Sequence, residues 1–205
     1  TLVSEELRKY IGKSEARVLD MCCGVGMSTR ALQAAFHDAE AVVGLDTSPQ
    51  MLGMAKFITN HENQMKNVLR SFSGVGRKML SHFKKPVIGQ EPSYALGNAE
   101  RTIFKPKSFD LVTIMYALHE IPRVARYRIL REVRRVLMNG GTLAIIDIAP
   151  EYTPSATMLA GEPYVLEYKE NIHKQLKSIR GFANFQHFVV VPGHVNMWLL
   201  TRADK

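Results

Sequence analysis

Two carboxylates stand where short apolar runs end. Asp20 falls late in Arg17–Met21, just ahead of Cys22-Cys23-Gly24-Val25-Gly26, and Asp46 closes Ala41–Asp46. The first run, its two glycines and the amphipathic segment Ser28–Phe36 read as strand, tight turn and helix N-terminus. Glycine has no Cβ, so a nucleotide-like ligand can approach the backbone N–H groups of such a turn. The loop departs from the dinucleotide fingerprint, because Thr29 stands at the third glycine position. A carboxylate beside it would repel a pyrophosphate and suits a ligand carrying an ammonium and a sulfonium. Asp46 follows Gly26 by 20 residues (46 − 26), the place where an acid grips ribose hydroxyls in such units. A single loop acid is more often a turn or cap residue. The matched pair at two strand ends points to a ligand.

Other chemistry-bearing residues also follow strands. Gly97-Asn98-Ala99-Glu100 comes after Ser93–Leu96, and Met115-Tyr116-Ala117-Leu118-His119-Glu120 comes after Phe109–Ile114. Ligands of open α/β sheets bind outside the carboxyl ends of the strands, so Met115 and Tyr116 are expected to face the ligand. His119 or Glu120 can serve as base or substrate anchor, against a reading in which they only order the loop. Asp147, near the end of Thr142–Ile148, is a third substrate-side candidate. The histidines are scattered and no His/acid spacing suits a metal, so none is expected.

Four blocks, Val18–Gly26, Val43–Met51, Gly97–Val112 and Ala117–Ile148, together resemble the class I S-adenosylmethionine-dependent methyltransferases, of the ubiquinone/menaquinone type. The resemblance implies S-adenosylmethionine as methyl donor and S-adenosylhomocysteine as product. It implies a cofactor site of Asp20, Cys22, Gly24, Gly26, Asp46, Thr47, Met51, Asn98, Ala99, Glu100, Met115 and Tyr116. Asp20 and the backbone near Gly24 would hold the methionine moiety, Asp46 the ribose, and Asn98, Ala99 and Glu100 the adenine side. Cys22 takes the place of the family's first glycine and reads as a small residue, not a nucleophile. Asn98 replaces the usual aspartate and still accepts a hydrogen bond through its oxygen. Tyr116, His119 and Asp147 are the catalytic-side candidates. The implied fold is α/β, a Rossmann-like doubly wound sheet of seven strands, mostly parallel, with an antiparallel C-terminal hairpin strand and helices on both faces.

The pattern of elements agrees. Helices are expected over Ser4–Ile11, Ser28–Phe36, Pro49 to about Ile58, Arg123–Leu137 (stopped by Asn139-Gly140-Gly141) and Pro163–Ile179. Thr47 or Ser48 can N-cap the helix that starts at Pro49. A hairpin of Phe185–Val191 and Val195–Thr201 turns at Pro192-Gly193, in type II fashion. Residues 1–205 read as one domain with a helical insertion at about 60–92, and Glu151–Gly161 as a loop.

The charge of +8 is concentrated: ten basic and three acidic residues between Lys56 and Lys107 leave +7 there. A solvated basic face is the first reading of it, an anionic substrate or acidic membrane surface the second, RNA the third. The function expected is methyl transfer to a small acceptor, quinone-like or phenolic. An RNA methyltransferase and a non-catalytic nucleotide-binding protein are the alternatives. No apolar run approaches the ~20 residues of a membrane span. The chain is therefore expected to be soluble, in the cytoplasm, or in an organellar stroma or matrix if a targeting peptide was removed. Oligomeric state is not legible.

Overall fold

The computed structural model describes residues 2–71 and 91–203. In chain order the elements are α1 (Leu2–Ile11), β1 (Arg17–Met21), α2 (Met27–Ala35), β2 (Ala41–Asp46), α3 (Pro49–Ser71), β3 (Ser93–Leu96), β4 (Phe109–Met115), a 3-10 turn (Leu118–Glu120), α4 (Arg123–Val136), β5 (Leu137–Ile148), α5 (Ala156–Gly161), α6 (Val165–Ser178), β6 (Phe182–Val191) and β7 (Val195–Arg202). The strands form one sheet in the order β3-β2-β1-β4-β5-β7-β6. β1 to β5 run parallel and β7 is antiparallel to both its neighbours. The strand order reverses between β1 and β4, which is where such sheets open a ligand crevice.

Period-2 alternation assigns the two faces. Val18, Val42, Leu111, Ala144 and Ile146 pack with Leu7, Leu32 and Phe36 under α1 and α2. Leu19, Met21, Val112, Ile114 and Ile145 pack with Ile129, Val133, Ile172 and Leu176 under α4 and α6. Both faces of the central strands are therefore buried, as the expected doubly wound architecture requires.

Several boundaries differ from the sequence expectation. First, α4 ends at Val136, one residue from the expected Leu137, but the Asn139-Gly140-Gly141 signal lies inside β5, which begins at Leu137 and not Thr142. Leu137 turns extended and pairs with Phe109, and the register then jumps to Leu111 opposite Thr142. The helix needs no glycine cap because Lys107 and Ser108 donate their N–H groups to the carbonyls of Arg135 and Val136. Second, the expected loop Glu151–Gly161 contains α5, whose N-cap Ser155 accepts from the Met158 N–H at 3.2 Å. Third, β6 begins at Phe182, not Phe185. The Pro192-Gly193 turn closes as expected, with the His194 N–H donating to the Val191 carbonyl at 2.9 Å. The first part of the expected insertion continues α3 to Ser71; the rest, to residue 90, lies outside the described residues.

Gly44 solves a packing problem that the missing third glycine creates. Thr29 on α2 lies against β2, and a Cβ on Gly44 would sit 2.8 Å from Thr29 Oγ1 and Cys23 Sγ, and 2.9 Å from Tyr94 Cδ1. The strand supplies the clearance that a helix glycine gives in dinucleotide folds. Gly44→Ala is expected to destabilise the chain by about 1–3 kcal/mol, the range for overpacked cores. The check is the denaturation midpoint, and an unchanged one would mean that Tyr94 and Thr29 yield freely.

Candidate functional site

The glycine loop after β1 and the turn after β4 face each other across the strand-order reversal. In the loop, Cys22 (φ 61°) and Gly26 (φ 73°) both adopt the left-handed conformation. Gly26 also precedes α2 so closely that a Cβ there would lie 2.7 Å from the Tyr94 ring. The glycine N–H groups are not left open to a ligand as expected. Gly24 donates to Asp46 Oδ2 at 2.8 Å and Gly26 to the Cys23 carbonyl at 2.8 Å. The loop is thus pre-tied to the tip of β2.

Asp20 does not stand in the cleft. It is fully buried; Ser28 and Thr29 donate to its Oδ2 at 2.6 and 2.7 Å, and Thr113 to its Oδ1 at 2.8 Å. Burial raises its pKa, against the three hydroxyls, which favour the charged form. The residue pins α2 and β4 to β1 and sends its charge, not its oxygens, into the loop. Its oxygens are thus taken up by hydroxyls inside the fold, not presented to the cleft for the ammonium contact the sequence suggested. Thr113 and Thr29 were missed in the sequence, although a threonine at the third glycine position was the available signal.

Asp46 is half-buried and more open. Its Oδ1 accepts from the Ser48 N–H at 2.9 Å, so each oxygen retains acceptor capacity for a sugar diol. Ser48, not Thr47, caps α3, its Oγ accepting from Met51 N; Thr47 and Met51 are exposed. At the β3 tip, Gly97 donates to the Asp46 carbonyl and Asn98 Oδ1 accepts from the Glu100 N–H at 2.8 Å. Ala99 is buried, and Glu100 pairs with Arg128 at 3.2 Å.

Cys22 senses the potential of this region. Burial, then the charges of Asp46, Asp20 and Glu120, push its thiol up to about 12. That excludes a nucleophilic thiolate at neutral pH. The same negative field suits a cationic ligand and disfavours a pyrophosphate, so the residues fit the sulfonium ligand that the sequence pattern implied.

On the β4 side, Met115 is half-buried against the α1/α2 face. Tyr116 is 53% exposed and holds φ 52°, an unusual conformation for a bulky residue. Burial and the charge of Asp147 raise its phenol's pKa, so it stays protonated at neutral pH. His119 is 5% exposed, and its Nδ1 lies 2.5 Å from Asp147 Oδ1. Burial works to lower the imidazole pKa, but the Asp147 hydrogen bond and charge, followed by Glu162 and Glu120, raise it overall. Asp147 is wholly buried and also accepts from the N–H groups of Leu118, His119 and Ile148. It holds His119 by Nδ1 and, being wholly buried, presents no carboxylate surface to the cleft, where the sequence suggested a substrate contact. The fold also brings Glu162, distant in sequence, beside His119 and Glu120.

A cleft of about 690 Å³ opens at the opposite end of the sheet, lined by Lys13, Arg17, Glu40, Lys105, Lys107 and Asp110 among others. Two ion pairs line it (Lys13–Asp110, Arg17–Glu40), and it lies at the amino ends of the strands, away from the loops described above.

A family model described as a methyltransferase domain (Methyltransf_11) matches residues 19–145. The chain is similar to a demethylmenaquinone methyltransferase of Lactiplantibacillus plantarum, 29% identical over 87% of this chain and 68% of that protein. It is 30% identical to a demethylmenaquinone methyltransferase of Bacillus cereus, over 80% of this chain and 56% of the relative. It thus spans about half to two thirds of the length of such relatives. Among solved structures, a SAM dependent methyltransferase from Aquifex aeolicus aligns with a TM-score of 0.65 at 17% identity, over 98% of this chain and 89% of that one. The Haemonchus contortus phosphoethanolamine N-methyltransferase 2 in complex with S-adenosyl-L-methionine aligns with a TM-score of 0.67 at 18% identity, over 99% of this chain and 53% of that one.

Proposed function

We propose methyl transfer to a small hydroxyl-bearing acceptor, phenolic or quinone-like, as this protein's activity, from the premise that the chain belongs to the class I S-adenosylmethionine-dependent methyltransferase family. The observation that carries the reading is the buried Asp147–His119 pair directly after the strand that meets the glycine loop. When bound, S-adenosylmethionine supplies an activated methyl group on sulfur, and the protein's task is orientation, water exclusion and removal of one proton.

Each residue has a part in that task. Asp46 holds the ribose hydroxyls, and the β3 tip, Asn98 to Glu100, borders the adenine. Asp20, from behind the loop, and Asp46 sustain the negative field that favours the cationic donor over its neutral product. Tyr116 borders the methyl side. Asp147 accepts the hydrogen bond of His119 Nδ1–H, which leaves the Nε2 lone pair to take the acceptor's hydroxyl proton; the acceptor so activated would receive the methyl as its bond to the donor sulfur breaks and the neutral thioether leaves. The quinone-like acceptor class draws support from the demethylmenaquinone methyltransferases to which the chain is similar.

Two measurements test the reading. Calorimetry with S-adenosylmethionine and S-adenosylhomocysteine is expected to give one saturable site each. Tritiated methyl is expected to pass into reduced naphthoquinone- or phenol-type acceptors and not into RNA. Label recovered in RNA alone would replace the reading with the nucleic-acid one. Binding without transfer to any acceptor class would favour a non-catalytic protein.

A further inference from the structure

We propose that His119, Glu120 and Glu162 form a divalent-cation site, selective for an ion such as Mn²⁺ or Zn²⁺ that accepts one imidazole and two carboxylates. Their donor atoms all lie within 4.8 Å of one another. His119 Nε2 is 3.5 Å from Glu162 Oε2 and 3.8 Å from Glu120 Oε1. These separations are long for hydrogen bonds. They are close to the spacing of two donors on one small ion, since metal–ligand bonds of roughly 2.0–2.2 Å in a tetrahedron place donors about 3.4 Å apart.

Independent observations point to a ligand at this cluster. The His119 side chain is more than nine-tenths buried, and its Nε2 has no hydrogen bond among the described residues. Glu162 Oε2 is sealed from solvent and also lacks a hydrogen-bond partner. Two carboxylates converge on one imidazole, and among the described residues the ion pairs of Glu120 and Glu162 run to His119. A buried carboxylate oxygen without a hydrogen bond is costly, and a cation would satisfy it together with the Nε2 lone pair.

The surroundings match those of a built site. Asp147 grips Nδ1, and it is itself held by three backbone N–H groups. A carboxylate behind the histidine in this way fixes the tautomer that offers Nε2 and strengthens it as a ligand. Glu120 is the exposed member and leaves the ion an open side for water or an acceptor oxygen. The consequence for catalysis rests on the methyl-transfer reading: an ion on Nε2 occupies the lone pair that would accept the acceptor's proton, so metal loading and base catalysis by His119 exclude each other.

The test uses the full chain stripped with chelator and Mn²⁺ alone as probe, with free Mn²⁺ read by electron paramagnetic resonance. One saturable site per chain is expected, weakened tenfold or more by Glu162→Gln and by Glu120→Gln. Circular dichroism confirms each fold; the second variant, at an exposed position, serves if the first misfolds. No saturable binding, or binding unchanged in a folded variant, overturns the proposal. S-adenosylmethionine calorimetry on the same samples keeps the two readings apart, because donor binding without Mn²⁺ binding sinks only the cation site. Mn²⁺ binding without donor binding sinks only the methyl-transfer reading.

Discussion

Asp147→Ala is expected to lower the stability of the chain by about 3–5 kcal/mol, through the buried donors it leaves without an acceptor. The carboxylate is completely buried and accepts from Leu118 N at 2.9 Å, His119 N at 3.3 Å, Ile148 N at 2.8 Å and His119 Nδ1 at 2.5 Å. Alanine leaves all of these without that acceptor, and each orphaned donor costs about 1–3 kcal/mol before the turn relaxes. The 3-10 turn that carries His119 would loosen with them. Asp147→Asn separates the catalytic role from the structural one. An amide keeps the shape and one acceptor, but its NH₂ facing Nδ1 forces the imidazole proton onto Nε2, where the lone pair is needed. The turnover rate is then expected to fall by about 10²–10⁴, the usual contribution of a positioned base. Donor affinity should stay within a few-fold of the parent. Single-turnover methyl transfer with metal chelated is the measurement, and a rate for Asp147→Asn within fivefold of the parent would remove His119 as the base.

The two roles of Asp147 also show what the sequence could and could not reveal. Strands, faces and acids at the β1 and β2 tips were legible because each depends on local alternation and on a short turn. What those acids touch was not. Asp20 and Asp46 look alike in sequence, both acids at the ends of apolar runs. One is buried behind three hydroxyls and the other opens to the cleft, because Thr113 comes from a strand 93 residues away. Gly44 reads as a strand weakness until Thr29 and Tyr94 are packed against it. Glu162 joins His119 only when α5 and α6 fold over the sheet, and α5 itself was hidden because its cap, Ser155, sits in a stretch of loop-like composition. The end of α4 is legible to within one residue, but its cause is not. A glycine pair is a local stop signal, but the actual stop is supplied by the backbone of Lys107 and Ser108, contributed from the other side of β4.

Asp46→Ala is expected to weaken S-adenosylmethionine binding about 10²–10⁴-fold. Two charge-assisted hydrogen bonds to a ribose diol contribute about 1.5–3 kcal/mol each, and 1.4 kcal/mol is a factor of ten in affinity. Part of any loss would come from the loop, since the same carboxylate ties Gly24 N at 2.8 Å and Ser48 N at 2.9 Å. Ser48→Ala is the neighbouring control, because it disturbs the start of α3 and leaves both backbone bonds to Asp46 in place. It removes the cap on Met51 N and an exposed hydrogen bond to Gln50 Oε1, so it should cost about 1 kcal/mol of stability and leave donor affinity nearly unchanged. Asp46→Asn provides the graded case, because the amide keeps one acceptor and loses the charge, and its affinity should fall between the other two. S-adenosylhomocysteine, which shares the ribose and lacks the positive charge, should lose affinity by a similar factor in Asp46→Ala if the hydrogen bonds dominate. A loss confined to S-adenosylmethionine would mean instead that Asp46 acts through the negative field sensed at Cys22. Calorimetry on the parent and three variants with both ligands decides between these. If Asp46→Ala binds both ligands within threefold of the parent, the β2 tip does not hold the ribose, and the placement of the donor in this crevice fails with it.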